Sequence, residues 1–279
     1  MRRVSARLTT LFFVTIGLPA MASSAPLIGV EEDTGDFYAI STTNASLQLI
    51  GHSGVEGLGA LEYNPHDGCF YGFTTGEAPE APVLYRFDIP TTLDAVTPHS
   101  IGRLGLSAFE GGLAFAPDGT AYAVNGSFTV PYLLTLDLNT GHATVVNSMV
   151  ARHDIAGLGW RGDGVLIGLD STDNALLAID PTTAAATTIG SISPIIGGVG
   201  GMALLDGSGY FVTAGPLALH PGSNGLYSFN AYTGEHAFIG SFDNVILGSG
   251  FSGLTVVPEP ATLTLLALAG AALLRRKRR

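Results

Sequence analysis

Residues 166–190, LIGLDSTDNALLAIDPTTAAATTIG, align without gaps with residues 27–51, LIGVEEDTGDFYAISTTNASLQLIG. Each segment contains three apolar runs separated by polar turns, a pattern that is typical of three consecutive antiparallel strands. The chain therefore repeats a unit built from strands, and this repeat governs how every other motif is interpreted.

Five apolar segments, each ending in a polar residue, mark the repeat along the chain. They lie at 38–41, 85–88, 134–137, 177–180 and 227–230, and their last residues are 47, 49, 43 and 50 positions apart. Most are followed by a Thr/Asn/Gly turn and then by a short apolar strand that often ends in glycine, as at Ile189-Gly190.

A second series of apolar strand starts precedes these segments. Its members are Gly57-Leu58, Gly112-Leu113, Gly157-Leu158, Gly201-Met202 and Gly253-Leu254, and the first four lead into Asp-Gly pairs. Asp-Gly is a favoured connector of β-hairpins. Each unit thus has four antiparallel strands, and we predict an all-β fold over residues 23–257, a small β-propeller of about five four-stranded blades.

The two ends of this body predict how the ring closes. The copy at residue 27 lacks the first strand of the unit, and residues 253–257 supply a first strand without the rest. Pairing these two pieces would complete a fifth blade and remove an open sheet edge. A sixth blade would need a unit hidden near 76–82 or 214–224, where we find no strand pattern. Helices are expected only as an N-terminal signal helix and a C-terminal apolar helix.

The N-terminus has the three parts of an export signal. Arg2, Arg3 and Arg7 precede an uncharged, mostly apolar run over residues 8–18, and Ala20-Met21-Ala22 supplies a cleavage pattern. We predict a signal peptide over residues 1–22. The Arg2-Arg3 pair also suits the twin-arginine route, but the residues after it favour general secretion.

The C-terminus combines a Pro-Glu-Pro motif, an apolar segment and a basic end. Pro258, Glu259 and Pro260 are followed by uncharged residues 261–274 and then by Arg275, Arg276, Lys277, Arg278 and Arg279. A fourteen-residue helix is only about 21 Å long, short of the roughly 30 Å hydrocarbon core. Snorkelling arginines and local thinning can make up this deficit, so the tail suits a transient membrane helix with its basic end in the cytoplasm.

This tail, residues 258–279, resembles the PEP-CTERM sorting domain of Gram-negative bacteria. The resemblance implies that an exosortase-type membrane protease recognises Pro258-Glu259-Pro260 and passes the protein to its destination. Proteins of that family accompany exopolysaccharide and biofilm matrix. We therefore expect an exported protein on the outer surface or in the extracellular matrix, after a transient inner-membrane stage.

The charge of the body excludes some partners. Residues 23–257 hold 22 of the 23 acidic residues but only four basic ones, Arg86, Arg103, Arg152 and Arg161, which gives a net charge of −18. Such a body should repel nucleic acid and anionic lipid surfaces. Cys69 is the single cysteine, so no intramolecular disulfide is possible.

Chemical motifs are few. The body has no Gly-x-Ser-x-Gly elbow, no cysteine pair and no His-Glu-x-x-His, so no catalytic residue is predicted. Glu56, Glu110 and Asp154 precede the first strands of three blades and could converge at one mouth of a central channel. Three carboxylates would suit Ca²⁺ as a cofactor, as in propeller lactonases. A solvated acidic rim explains the same residues without a metal.

Two functions follow. The first is a non-enzymatic surface or matrix protein that binds polysaccharide or another surface protein, and aromatic residues expected in loops, Phe128, Tyr132 and Tyr232, favour it. The alternative is a Ca²⁺-dependent extracytoplasmic hydrolase or lyase that uses Glu56, Glu110 and Asp154.

Overall fold

The structure is a computed structural model, and it describes residues 27–77, 82–89, 96–109, 111–126, 131–149, 154–192, 198–205, 207–214, 224–242 and 250–257. These residues form strands connected by turns and loops. No helix within these ranges has the length and apolar character needed to cross a membrane. The predicted signal peptide and C-terminal helix lie outside the described residues.

The described residues contain twenty strands. In chain order these are β1 (Leu27–Glu31), β2 (Asp36–Ile40), β3 (Leu47–His52), β4 (Glu62–Asn64), β5 (Cys69–Phe73), β6 (Val83–Asp88), β7 (Thr97–Arg103), β8 (Leu113–Phe115), β9 (Ala121–Val124), β10 (Tyr132–Leu136), β11 (Ala143–Ser148), β12 (Ile155–Trp160), β13 (Leu166–Asp170), β14 (Ala175–Ile179), β15 (Ala186–Ser191), β16 (Gly198–Leu205), β17 (Ser208–Ala214), β18 (Gly225–Asn230), β19 (His236–Ser241) and β20 (Phe251–Val256).

The strands form five four-stranded antiparallel sheets, the blades of a propeller. From the axis outward, blade I is β20-β1-β2-β3, blade II is β4-β5-β6-β7, blade III is β8-β9-β10-β11, blade IV is β12-β13-β14-β15 and blade V is β16-β17-β18-β19. The prediction of five four-stranded blades is confirmed.

Blade I is built from both ends of the body. Strand β20 pairs antiparallel with β1, which places Val256 opposite Leu27 and Leu254 opposite Gly29. The predicted closure is therefore confirmed, and the inner edge of β1 is covered by the last strand of the body.

The internal repeat corresponds strand for strand to the structure. Strands β1, β2 and β3 begin at residues 27, 36 and 47, and β13, β14 and β15 begin at the aligned residues 166, 175 and 186. Even the irregularities agree, because the register shifts between Phe37 and Tyr38 in blade I and between Leu176 and Leu177 in blade IV.

Five apolar clusters fill the spaces between neighbouring blades. Between blades I and II, for example, Phe37 and Phe87 are fully buried and their ring centroids lie 5.2 Å apart. Burying one such side chain contributes about 1.5–3 kcal/mol. Inter-blade packing is thus the main stabilising interaction of the ring.

Glycines at the ends of outer strands allow neighbouring blades to approach. A Cβ atom on Gly190 of β15 would lie 2.0 Å from the Thr233 carbonyl oxygen, in the Thr-Gly turn of blade V. Gly102 of β7 meets Thr140 of blade III at the same 2.0 Å. The glycine that ends these strands in the sequence is therefore a packing requirement between blades.

We predict that Gly190→Ala destabilises the body by about 1–3 kcal/mol, because the added methyl group forces the turn at Thr233 to move. Gly162→Ala is the matched control, since its Cβ would meet nothing within 4 Å, and its effect should stay within about 0.5 kcal/mol. Equilibrium urea unfolding measures both. Equal effects of the two substitutions would contradict the packing role of Gly190.

Candidate functional site

The three carboxylates predicted to bind calcium are only partly described. Glu56 is exposed in the loop before β4, and Asp154 is half-buried just before β12. The Ser171 hydroxyl donates a hydrogen bond of 2.6 Å to Asp154 Oδ2. Glu110 lies outside the described residues, so the convergence of all three stays a prediction. Among the residues that are described, no group of three or more His, Cys, Asp and Glu side chains is placed to hold a metal ion.

The structure places the aromatic residues that were expected in binding loops in different environments. Tyr232 lies in the turn after β18 and is 52% exposed, with the Arg161 guanidinium 4.3 Å above its ring. Tyr132 is also exposed but begins strand β10, so its assignment to a loop was wrong. Phe128 lies outside the described residues.

In the first strand of blade II, the leucine at the axis lies three residues later in the sequence than predicted. Leu61, and not Leu58, lies at the axis beside Leu113, Leu158 and Leu254. Leu58 is instead bridged to Thr74 and packs in the core between blades I and II. Leu61 precedes Pro65 by four residues, as Leu113 precedes Pro117, whereas Leu58 precedes Pro65 by seven, so the Gly57-Leu58 pair is not equivalent to Gly112-Leu113.

At the centre of the ring the inner strands meet through residues with little or no side chain. These residues are Ala60, Gly112, Gly157, Gly201 and Gly253, one from each blade, and we call them the glycine ring. A Cβ atom on Gly157 would lie 2.5 Å from Met202 Cβ, and one on Gly253 would lie 2.5 Å from the Leu61 nitrogen. The remaining space is about 10 Å³, barely enough for one water molecule. The expected central channel is therefore closed at this level.

Beyond the glycine ring, toward the Asp-Gly turns, lies a cavity of about 150 Å³, which we call the axial cavity. Its lining consists of Glu62, Tyr63, Pro65, Ala114, Phe115, Gly159, Trp160, Leu204 and Val256. The space exists because blades III and IV place Ala114 and Gly159 where blade II places Glu62. Small side chains at these inner positions leave room on the axis that a full set of large ones would fill.

Glu62 provides the carboxyl group of the axial cavity and also links two blades. Its Oε1 accepts hydrogen bonds from the Thr255 hydroxyl at 2.8 Å and from the Tyr63 backbone N–H at 3.0 Å. Desolvation in the cavity wall raises the pKa of Glu62 to about 8, although both hydrogen bonds act in the opposite direction. At neutral pH this side chain is mainly a carboxylic acid, which can donate as well as accept a hydrogen bond.

Trp160 is one of three aromatic residues in the wall. Its indole Nε1–H is buried and makes no hydrogen bond to any described residue. The indole packs edge-on against Tyr122, with ring centroids 5.8 Å apart. Ligand sites are typically concave and mostly apolar with a few polar groups. The axial cavity has this character, although its 150 Å³ is less than the roughly 300 Å³ at which such sites usually begin.

Sequence reasoning did not single out this cavity. The residues predicted from the sequence precede the inner strands, whereas the cavity is formed where those strands end. One signal was present: Glu62 is a charged residue at an inner position that holds Ala114, Gly159, Ala203 or Thr255 in the other repeats.

The chain belongs to the family described as "Repeat of unknown function (DUF6923)", whose model matches residues 30–237. A second family model, the PEP-CTERM protein-sorting motif, matches residues 256–279. The predicted sorting domain is thereby confirmed. No curated protein matches the sequence.

Two solved structures are similar in fold. A chain of the nidogen/laminin complex has 10% sequence identity and a TM-score of 0.54, with 84% of this chain and 99% of that chain covered. A protein of unknown function from Bacteroides thetaiotaomicron VPI-5482 has 15% identity and a TM-score of 0.52, with 77% of this chain covered. This chain spans about half of the Bacteroides protein, 55% of its length. Both likenesses concern the fold alone.

We predict that the pKa of Glu62 makes the stability of the body depend on pH. The pKa of Glu62 has its ordinary value of 4.5 in the unfolded chain and rises to about 8 in the folded body. The folded state therefore binds the extra proton between these values, and Glu62 costs stability as the pH rises through this window. Above about pH 8 the cost stays constant.

Glu62→Gln tests this prediction because glutamine mimics the protonated acid and keeps the acceptor for Thr255 and Tyr63. The midpoint of thermal unfolding, Tm, should be higher for Glu62→Gln than for the wild type. This difference in Tm should be near zero at about pH 4 and grow up to about pH 8. Glu56→Gln makes the same chemical change on an exposed side chain and controls for lost charge. A difference in Tm that does not change with pH would contradict the prediction.

Proposed function

We propose that the body is a non-enzymatic binding protein of the cell surface or extracellular matrix, delivered there by exosortase-dependent sorting. The observation that carries this proposal is the PEP-CTERM match over residues 256–279, directly behind a propeller that is complete at Val256. The sorting motif indicates an exported protein, in agreement with a Gram-negative cell envelope. The signal peptide over residues 1–22, the body over 23–257 and the tail over 258–279 are the proposed parts of the precursor.

The position of the sorting motif supports cleavage beside the folded body. Val256 pairs with Leu27 and lines the axial cavity, and Pro258 follows two residues later. Two residues span at most about 7 Å. A cut at the motif therefore leaves the ring closed, and in the precursor the cavity end of the propeller lies next to the tail.

The axial cavity supports a binding role for this body. Three of its lining residues are aromatic and one, Glu62, carries a carboxyl group. The glycine ring closes its inner end, so a ligand can enter from one side only. Polysaccharide or another surface protein is the proposed partner. The net charge of −18 on residues 23–257 disfavours nucleic acid, and contact with the membrane is proposed to be transient and limited to the C-terminal helix.

Replacing Pro258, Glu259 and Pro260 by alanine should leave the tail uncleaved and hold the protein in the inner-membrane fraction. The wild type should reach the surface or medium with a C-terminus at or beyond Val257, because a shorter product would lose the ring-closing strand. Mass spectrometry of fractionated cells measures both outcomes, and Pro181→Ala controls for loss of a proline elsewhere. An exported wild-type protein that retains Arg279 would overturn the processing step.

The calcium-dependent hydrolase or lyase stays the alternative, since Glu56 and Asp154 both have surface that solvent reaches. If Glu56, Glu110 and Asp154 bind Ca²⁺, calorimetric titration should show heat, and Glu110→Ala should weaken binding by about tenfold or more. Glu235→Ala removes an exposed carboxylate of blade V and is the matched control. Absence of heat, or equal affinity in all three proteins, would exclude this alternative.

A further inference from the structure

We infer that the axial cavity binds the terminal, uncharged pyranose unit of a polysaccharide. This inference rests on the proposed binding function and names the ligand of its site. It is carried by the size of the cavity, the chemistry of its wall and the closure of its inner end.

The size of the cavity limits a ligand to at most one six-membered ring. The volume is about 150 Å³, and an apolar cavity of about this volume accommodates benzene. A pyranose has about twice as many heavy atoms as benzene, so one face or edge of its ring enters while its other hydroxyls stay at the open side. The glycine ring closes the inner end, so a chain cannot thread through the axis. A polymer can therefore enter only with its end, one ring deep.

The wall combines the two kinds of contact that a pyranose offers. Tyr63, Phe115 and Trp160 supply aromatic side chains, whose negatively charged π faces favour the weakly positive C–H bonds of a sugar ring. Glu62 Oε1 is held by Thr255 and Tyr63, while no described residue binds its Oε2, which is left for a sugar hydroxyl.

Charge and hydrogen bonding favour a neutral sugar over the other candidates. Acidic Asp67 and Asp118 lie in the turns at this end of the propeller, while Asp163 is paired with Arg161. Together with the acidic body, the carboxylates of Asp67 and Asp118 would repel an anionic sugar. An apolar side chain of a partner protein would fill the space but leave Glu62 Oε2 without a hydrogen-bond partner, which is costly for a buried polar group.

The test uses the intrinsic fluorescence of the processed, exported protein. Trp160 is the only tryptophan of the chain, so its emission reports on the cavity directly. Neutral methyl pyranosides of glucose, galactose and mannose are titrated up to about 50 mM, because a ligand of about a dozen heavy atoms is expected to bind with a Kd of about 1–10 mM. Methyl glucuronide and phenol are the anionic and the apolar comparison probes.

We expect a saturable change in emission with at least one neutral pyranoside and weaker binding of both comparison probes. Ala114→Gln places a longer side chain into the cavity and should weaken binding by about tenfold or more. Ala237→Gln, the same change on an exposed residue of β19, should leave the affinity unchanged. Trp160→Phe, followed by calorimetry, removes only the indole N–H and ring volume and should weaken binding by about fivefold.

Several outcomes would overturn the inference. These are no saturable change with any neutral pyranoside, tighter binding of phenol or methyl glucuronide, or unchanged affinity in folded Ala114→Gln and in Trp160→Phe. If Ala114→Gln does not fold, Trp160→Phe decides alone. Sorting is measured separately in cells, so a protein that is sorted but binds no pyranoside overturns this inference and leaves the sorting proposal intact.

Discussion

The close approach of five backbones at the propeller axis is the constraint on which the rest of the structure depends. Four of the five blades place a glycine there, and blade II places Ala60. Because a Cβ atom on Gly157 would collide with Met202 of the next blade, the inner strands can meet only where side chains are nearly absent. The axis is therefore filled by backbone at one level and opens into a cavity at the next, where the inner positions vary in size.

Closure of this ring depends on the last strand of the body, which ties folding to sorting. Strand β20 is the innermost strand of blade I and supplies Gly253 to the glycine ring. The sorting motif follows almost at once, so the segment that directs processing is attached to the centre of the fold and not to a peripheral loop. The same strand brings Val256 to the rim of the axial cavity.

The contact between Glu62 and Thr255 both joins two blades and involves the carboxyl group of the axial cavity. The hydrogen bond from the Thr255 hydroxyl joins blade II to the ring-closing strand, and the surroundings of the same carboxyl group raise its pKa to about 8. A group that is costly to ionise at neutral pH is retained at the join between the two blades. This arrangement is physically reasonable for a binding site, where an acid that donates a hydrogen bond adds specificity to aromatic walls.

The sequence by itself determined the repeat, the five blades, the closing strand and the sorting tail, because each depends on local patterns or on residues in chain order. Only the tertiary structure decided that Leu61 and not Leu58 lies at the axis, that the axis is closed, and that Glu62 lines a cavity. These features depend on distances between residues far apart in the chain, such as Glu62 and Thr255. Periodicity records the alternation along each strand, but not how closely five strands approach one another.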